Sequence, residues 1–574
     1  MPHHHGRIGT FGAGVATLSL VLATASSTPA NANPPARAFG APEQRALAAP
    51  VQGPVSASAR RPSLGRHREA MATGCVSNYG TAGYYFVGVP DGTNYAGGKY
   101  SAVLGGASNE ACDAYSAVGT GNLNVVGYNG SATESFVGGG SSNAITGDNS
   151  FVGAGEVNAV TAEAAIVGSG VFNLASAAGS FVGAGGHEYG LGKSPVSGEG
   201  NIAGGIDSFV GAGDLNQITS AGLGSFIGGG GTYGAQSSTA GNTISGEDSF
   251  IGAGGVNTVA GNDDFVGAGY ANAIPAGAWA VVVGGEANDA SASDAFVGGG
   301  SSNAASGTGA FLGGGSTNKA AATDAFLGAG EDNSISTGGT YAAIAGGYQN
   351  AASAAYASVL GGFGNAAKGQ YATIAGGRNN TASGEMSFAS GYHADAVNAG
   401  SFVWSDYSAG SALVKDAKAN QFVVRASGGI TLYSNEAATS GEELTAGSGT
   451  WASLSDRNAK TDIAPLDEDA ILASVAALPI DRWSYKSEKG VRHMGPMAQD
   501  FYAAFGVGVD DRHITSIDED GAALAAIKAL YGKVRHENGA LLRDNSRLHG
   551  EVADLQSNFA ELAKKVKALS ARAR

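Results

Sequence analysis

An asparagine that returns every fifteen residues constrains this chain more than any other feature. It closes runs such as Phe136-Val137-Gly138-Gly139-Gly140-Ser141-Ser142-Asn143 and Phe311-Leu312-Gly313-Gly314-Gly315-Ser316-Thr317-Asn318. It recurs as Asn143, Asn158 and Asn173, as Asn288, Asn303, Asn318 and Asn333, and again as Asn350, Asn365 and Asn380. Disorder does not hold such a register, and a unit this short has no interior of its own. Stacking solves the problem, because neighbouring coils then share one core and exchange backbone hydrogen bonds. Each unit reads as a short Phe-Val or Phe-Leu strand, a Gly-rich turn and a second short strand. Gly supplies positive φ and close backbone approach, and the Asn is expected to take the left-handed region at the turn that follows.

Composition agrees with a wound solenoid. The 574 residues include 95 Gly and only 14 Pro, without the three-residue period of collagen. The formal charge is −16. Between Ser101 and Gly400 the basic residues are Lys193, Lys319, Lys368 and Arg378 alone, so this region has no stripe that neutralises phosphates and nucleic acid is not an expected partner. The register lapses between Asn173 and Asn257, where His187-Glu188-Tyr189 and Lys193 read as loops inserted between coils. Such loops either carry a binding site or are tolerated surface insertions.

The flanks differ from the array. Residues 1–32 read as a secretory signal: His3, His4, His5 and Arg7, an apolar run from Phe11 to Ala25, and the cleavage pattern Ala30-Asn31-Ala32. A metal site at the three histidines is the weaker reading, because that segment leaves with the signal. Residues 33–72, rich in Pro, Ala and Arg, read as a flexible linker. Cys75 and Cys112 remain, and in an oxidising compartment they are candidates for one disulfide, within a chain or between chains. No later stretch reaches the roughly 18 apolar residues of a membrane helix, so the mature chain is expected to have no transmembrane segment.

The solenoid is expected over 73–394, followed by a β-rich neck over 395–454. In the neck Phe422 and Val424 alternate with Val423 and Arg425, and Gly428-Gly429 turns into Ile430-Thr431-Leu432-Tyr433. Beyond it a small α+β domain is expected over 455–522, with helices at Asp467 to Ala477 and Met497 to Phe505 and a strand at Ile480 to Lys486. From Leu524 a heptad pairs Tyr531, Val552, Phe559 and Val566 with Ile527, Val534, Leu541, Leu548, Leu555, Leu562 and Leu569, which predicts a coiled coil over 523–574. Asn538 and Asn545 fall in its seam and would fix register and oligomer number. An antiparallel hairpin is the alternative, but no Gly/Pro break divides the run.

Two resemblances sharpen this reading. The fifteen-residue units resemble the head repeats of trimeric autotransporter adhesins, which implies a left-handed parallel β-roll of three chains; that family more usually spaces its repeats at about fourteen. The anchor strands that would end a true autotransporter are not legible after the array. The second concerns Ser455-Asp456-Arg457-Asn458-Ala459-Lys460, followed by His493-Met494-Gly495-Pro496-Met497-Ala498-Gln499-Asp500 and the terminal heptads. Alone, Ser455 or Asp456 would read as a helix cap. Together these segments resemble the endosialidase-type intramolecular chaperone of phage tailspikes and of a few membrane-bound transcription factors.

That resemblance implies self-cleavage between Leu454 and Ser455 by a Ser455/Lys460 dyad. Ser455 would attack the preceding carbonyl and Lys460 would take its proton, for which a lysine must be neutral and therefore desolvated. Asp456 and Gln499 would orient the dyad or donate to the oxyanion. His493 reads as a second base or as a structural histidine at a strand end.

The fold class expected is thus mainly β: a trimeric β-solenoid head, a neck, an α+β chaperone and a trimeric coiled coil. The function expected is a secreted or cell-surface homotrimeric, adhesin-like fibre with a host-surface or glycan ligand. The alternatives are a glycan-degrading tailspike, or a chaperone domain that trimerises without cutting. Glycan hydrolysis needs paired carboxylates in a groove. Glu156, Asp214, Glu286 and Glu331 are scattered over repeat turns, and a cytoplasmically assembled tailspike needs no signal. No phosphate-binding loop or metal-ligand cluster is legible, so no cofactor is expected.

Overall fold

The computed structural model describes residues 86–87, 93–128, 131–186, 200–231, 241–410 and 412–573. The signal, the linker, Cys75, His187-Glu188-Tyr189 and Lys193 lie outside them.

The chain is mainly β, a parallel β-solenoid of about 19 turns followed by a few helices. The coil beginning at Phe311 shows how fifteen residues close one turn. Phe311–Leu312 pairs in parallel with Phe296–Val297 before it and Phe326–Leu327 after it. Ser316 bridges Ser301 and Glu331 by a single position. Lys319–Ala320 then pairs with Ala304–Ala305 and Ser334–Ile335. Three sides of the coil thus each add one rung to a ladder along the solenoid. Side chains alternate in and out on a strand, so Leu312 and Ala320 are fully buried while Phe311 and Lys319 face outward.

The Gly-x-Gly signature has a geometric cause at the corner. Gly315 has φ +92° and Gly330 φ +111°; a Cβ on Gly315 would lie 2.0 Å from the Gly330 carbonyl oxygen, and one on Gly330 2.1 Å from that of Gly347. Only a residue without Cβ lets successive coils approach so closely.

The repeat asparagine does something other than turn the chain left-handed. The positive φ belongs to the residue before it, as at Ser302, Thr317 and Asp332, and the asparagines themselves are buried. Asn318 donates from its backbone N–H to Asn303 Oδ1 at 3.1 Å. Its Nδ2 donates to the carbonyls of Gly314 at 3.0 Å and Gly330 at 2.7 Å. Its own Oδ1 accepts the backbone N–H of Asn333 at 3.0 Å. The same linkage crosses the interval where the sequence register lapses, through Asn201, Asn216 and Asn242: Asn201 donates to Asn173 across 28 positions, and Asn242 to Asn216 across 26.

The ladders outlast the asparagines. Phe402–Ser405 and Phe422–Arg425 still pair in parallel, and Val414–Lys415 pairs with Ala394–Asp395. Solenoid pairing therefore extends to Arg425, into the segment assigned from sequence to the neck. Asp406 closes this end: it accepts from the N–H and Oγ of both Ser408 and Ser427 and faces Arg425 Nε at 3.5 Å. These donors, first the Ser408 and Ser427 hydroxyls, hold its carboxyl well below the usual carboxylate range. An antiparallel sheet follows, Gly429–Tyr433 against Gly441–Thr445 against Ala452–Ser453.

Helices α1 (Glu468–Ala477), α2 (Ala498–Phe505) and α3 (Ser516–Arg572) and the hairpin of Asp481–Trp483 with His493–Gly495 make up the remainder. Asp467 caps α1 by accepting the Ala470 N–H, and Thr515 caps α3 by accepting that of Asp518. Lys528 and Lys533 of α3 pair with Glu468 and Asp469 in the first turn of α1. Helix α3 is continuous for 57 residues, which excludes the hairpin alternative within it. No described helix is long and apolar enough to cross a membrane.

Candidate active site

The peptide between Leu454 and Ser455 lies where the antiparallel sheet hands over to the helical segment. On its leading side the strand Ala452–Ser453 is held where it meets the peptide. Ser453 Oγ donates to Glu442 Oε1 at 2.6 Å, and the Leu454 N–H donates to the Gly441 carbonyl at 3.0 Å. On its trailing side a single 3₁₀ turn, Arg457–Ala459, reverses the chain. Asp456 caps that turn: its Oδ1 accepts the Asn458 N–H at 2.9 Å and Asn458 Nδ2 at 3.1 Å. Lys460 ends it, donating its N–H to the Arg457 carbonyl.

This reversal brings together two side chains five residues apart. Lys460 Nζ donates to Ser455 Oγ at 2.6 Å. The spacing Ser-x-x-x-x-Lys is thus the length needed for one tight turn to fold a lysine back on a serine. A neutral lysine in this place would accept the hydroxyl proton as the oxygen attacks. Both residues are exposed in the single chain.

The other residues singled out from sequence sit elsewhere. Asp456 is engaged as the cap. His493 pairs across the hairpin with Trp483, stacks on its ring at 4.7 Å, and places Nε2 3.1 Å from Glu488 Oε2. These contacts hold it at the start of the strand His493–Gly495. Gln499 is exposed on the first turn of α2. Among the described residues no hydrogen bond joins His493 or Gln499 to Ser455 or Lys460. Glu442, which anchors Ser453, carried no signal in the sequence, because an acidic residue in a surface strand is unremarkable until its cross-strand partner is known.

Asn538 and Asn545 are exposed on α3, as are its heptad residues, among them Leu541, Leu555 and Phe559. Cys112 is disulfide-bonded; Cys75, the partner considered from sequence, lies outside the described residues. No cluster of His, Cys, Asp or Glu among the described residues has the arrangement of a metal site.

No curated protein matches the chain. Residues 455–509 match the family model described as chaperone of endosialidase. The match begins on Ser455 and takes in Lys460, α1, the hairpin and α2. The chain therefore carries an endosialidase-type chaperone domain at these residues.

Proposed function

We propose that the chain is the precursor of a secreted homotrimeric fibre, whose C-terminal domain gathers three chains and then severs itself between Leu454 and Ser455. The observation that carries this reading is the 2.6 Å hydrogen bond from Lys460 to Ser455 at the first residue of the chaperone match. Ser455 Oγ attacks the Leu454 carbonyl carbon and Lys460 takes the hydroxyl proton. The C–N bond breaks, the nitrogen leaves as the Ser455 amine after gaining a proton, and an ester joins Leu454 to Ser455 Oγ. Water hydrolyses that ester, giving the Leu454 carboxylate and restoring the hydroxyl.

Exposure of the dyad in one chain explains how cutting would be timed. A solvated lysine keeps its proton, and burial disfavours the charged form. Packing of three chaperone domains around the exposed heptads of α3 would supply the burial, so cleavage would await assembly. The released piece, 33–454, would be the mature fibre, displayed outside the cell, its head carrying the host-surface or glycan contact.

A second reading is favoured by the same exposure: the domain trimerises and remains attached. Intact mass of the full chain beside Ser455→Ala and Lys460→Ala separates the two. The proposal expects fragments ending at Leu454 and beginning at Ser455 in the wild type, and full-length variants. Full-length wild type in an assembled trimer would establish the permanent stalk instead.

A further inference from the structure

The outward position of the first ladder holds a reciprocal pattern. In thirteen of the coils from Ala102 to Phe422 the outward strand residue is Phe, and two residues before it stands a residue such as Asp294, Gly309 or Asp324. In seven coils the outward residue is something else, and six of those carry an aromatic two residues earlier: Tyr100, Tyr115, Trp279, Tyr341, Tyr356 and Tyr371. No coil with an outward Phe has an aromatic there. The exception is Ile166, itself bulky, behind Ala164. Across the head, then, a coil presents one ring, from one position or the other.

The alternative position is an unfavourable place for such a side chain. Tyr341, Tyr356 and Tyr371 have φ near +59°, as do Tyr100, Tyr115 and Trp279. Gly, Asn and Asp are the residues that suit this region; bulky ones are outliers. Burial inside the coil does not reward Tyr341 and Trp279, which are 52% and 63% exposed. Within each run the rings stack from coil to coil, Tyr341 on Tyr356 at 5.2 Å and Phe296 on Phe311 at 5.0 Å. The result is a long aromatic band that one chain leaves open.

We infer that this band is the face on which copies of the chain meet in the head, Phe or the earlier aromatic filling the same inter-chain layer coil by coil. The inference rests on the homotrimer proposed above and adds where its head is joined. Area favours a second copy as the occupant. If each ring leaves roughly 70 Å² open, the band offers on the order of 1,300 Å² per chain, against about 800 Å² per partner in a stable interface. A second copy in register also presents a ring at almost every level, which accounts for one ring in every coil but that of Ile166.

Asp324→Tyr with Phe326→Ala tests the exchange, because together they turn Asp324-Ala325-Phe326 into the Tyr-Ala-Ala of residues 341–343. In the full chain, loss of the trimer on heating is followed by light scattering. Phe326→Ala is expected to dissociate roughly tenfold faster, and the double variant to return most of the way to wild type. Equal behaviour of the single and double variants would overturn the inference. Benzoylphenylalanine placed at Phe311 is expected to cross-link chains, while the same group at Lys319, on the ladder shared with Ala304 and Ser334, is not. A trimer that cross-links through position 319 alone would overturn the inference and leave the trimer standing. A wild-type chain that runs as a monomer would overturn both.

Discussion

Asn318 shows what the fifteen-residue register preserves. Its side chain satisfies backbone groups on its own coil and on the next, and it passes an acceptor to Asn333, so each asparagine is one link of a polar chain inside the fibre. A buried polar group stripped of its partners costs about 1–3 kcal/mol, and removing one link orphans groups on two coils. Asn318→Leu is therefore expected to lower stability by about 3 kcal/mol or more, read from the shift in the denaturation midpoint, whereas Thr317→Ala next to it should change little beyond the strain of its positive φ. A comparable result for the two would remove the ladder from the account. Asp264 presents the opposite case. It stands where Ser225 and Ser249 stand in the preceding coils, 2% exposed, with Oδ1 accepting the Ala280 N–H and Oδ2 unpartnered. Burial, opposed by that hydrogen bond and reinforced by Asp263, pushes its carboxyl from 3.8 up to about 6. A raised carboxylate favours the protonated fold, so its contribution is fully present below pH 3.8 and is lost as pH rises through about 6. Asp264→Ser should stabilise the head at pH 7.5 by on the order of 2 kcal/mol and gain little at pH 3.5. Melting at the two pH values checks this; an equal shift at both would refute the titration as cause.

At the scale of elements, legibility tracked whichever residue announced a register. The solenoid was readable because Asn and Phe repeat together. It stopped being readable at Asn380, where Ala394 donates its N–H to the last asparagine and places no Asn of its own, although the strands beyond it still pair. Asn201 and Asn242 were obscured for another reason: insertions displaced them in sequence without displacing them in the ladder. The dyad spacing was legible, but the grip of Glu442 on Ser453 and the cap made by Asp456 depend on neighbours that only the folded chain supplies. Helix α3 begins at Ser516, ahead of the first heptad leucine, because Thr515 caps it there. Its seam carries a prediction of its own. Asn545, like Asn538, places an amide among positions that otherwise hold Leu, Ile, Val, Tyr and Phe, and a seam asparagine selects register and number at a cost in stability. In the full chain carrying Ser455→Ala, Asn545→Leu is expected to raise the melting temperature of α3 while broadening the distribution of oligomers seen by sedimentation. A single sharp trimer in that variant would show that number is set elsewhere.

At the scale of the whole molecule, the order of folding becomes the central problem. A coil of the head gains its hydrogen bonds only from neighbouring coils, so the first coils to form gain little, and in the proposed trimer three chains would have to begin at the same level. A helix with an exposed apolar seam forms locally and associates early, which makes the C-terminal segment the natural place to bring three chains together. If that segment then leaves by cleavage at Ser455, the finished head keeps the ladders it has built but loses the device that aligned them. Its persistence becomes a matter of unfolding rate rather than of equilibrium. The consequence is an asymmetry that a refolding experiment reads directly. Cleaved wild-type head, unfolded fully in guanidinium and diluted, is expected to recover little trimer, because no aligned start remains. Ser455→Ala, which retains α3, is expected to refold to trimer under the same dilution, in a yield that rises with chain concentration. Both should unfold at similar rates, since the ladders that must open are the same in each. Equal recovery from the two would mean that the head aligns itself and that the chaperone domain has another purpose.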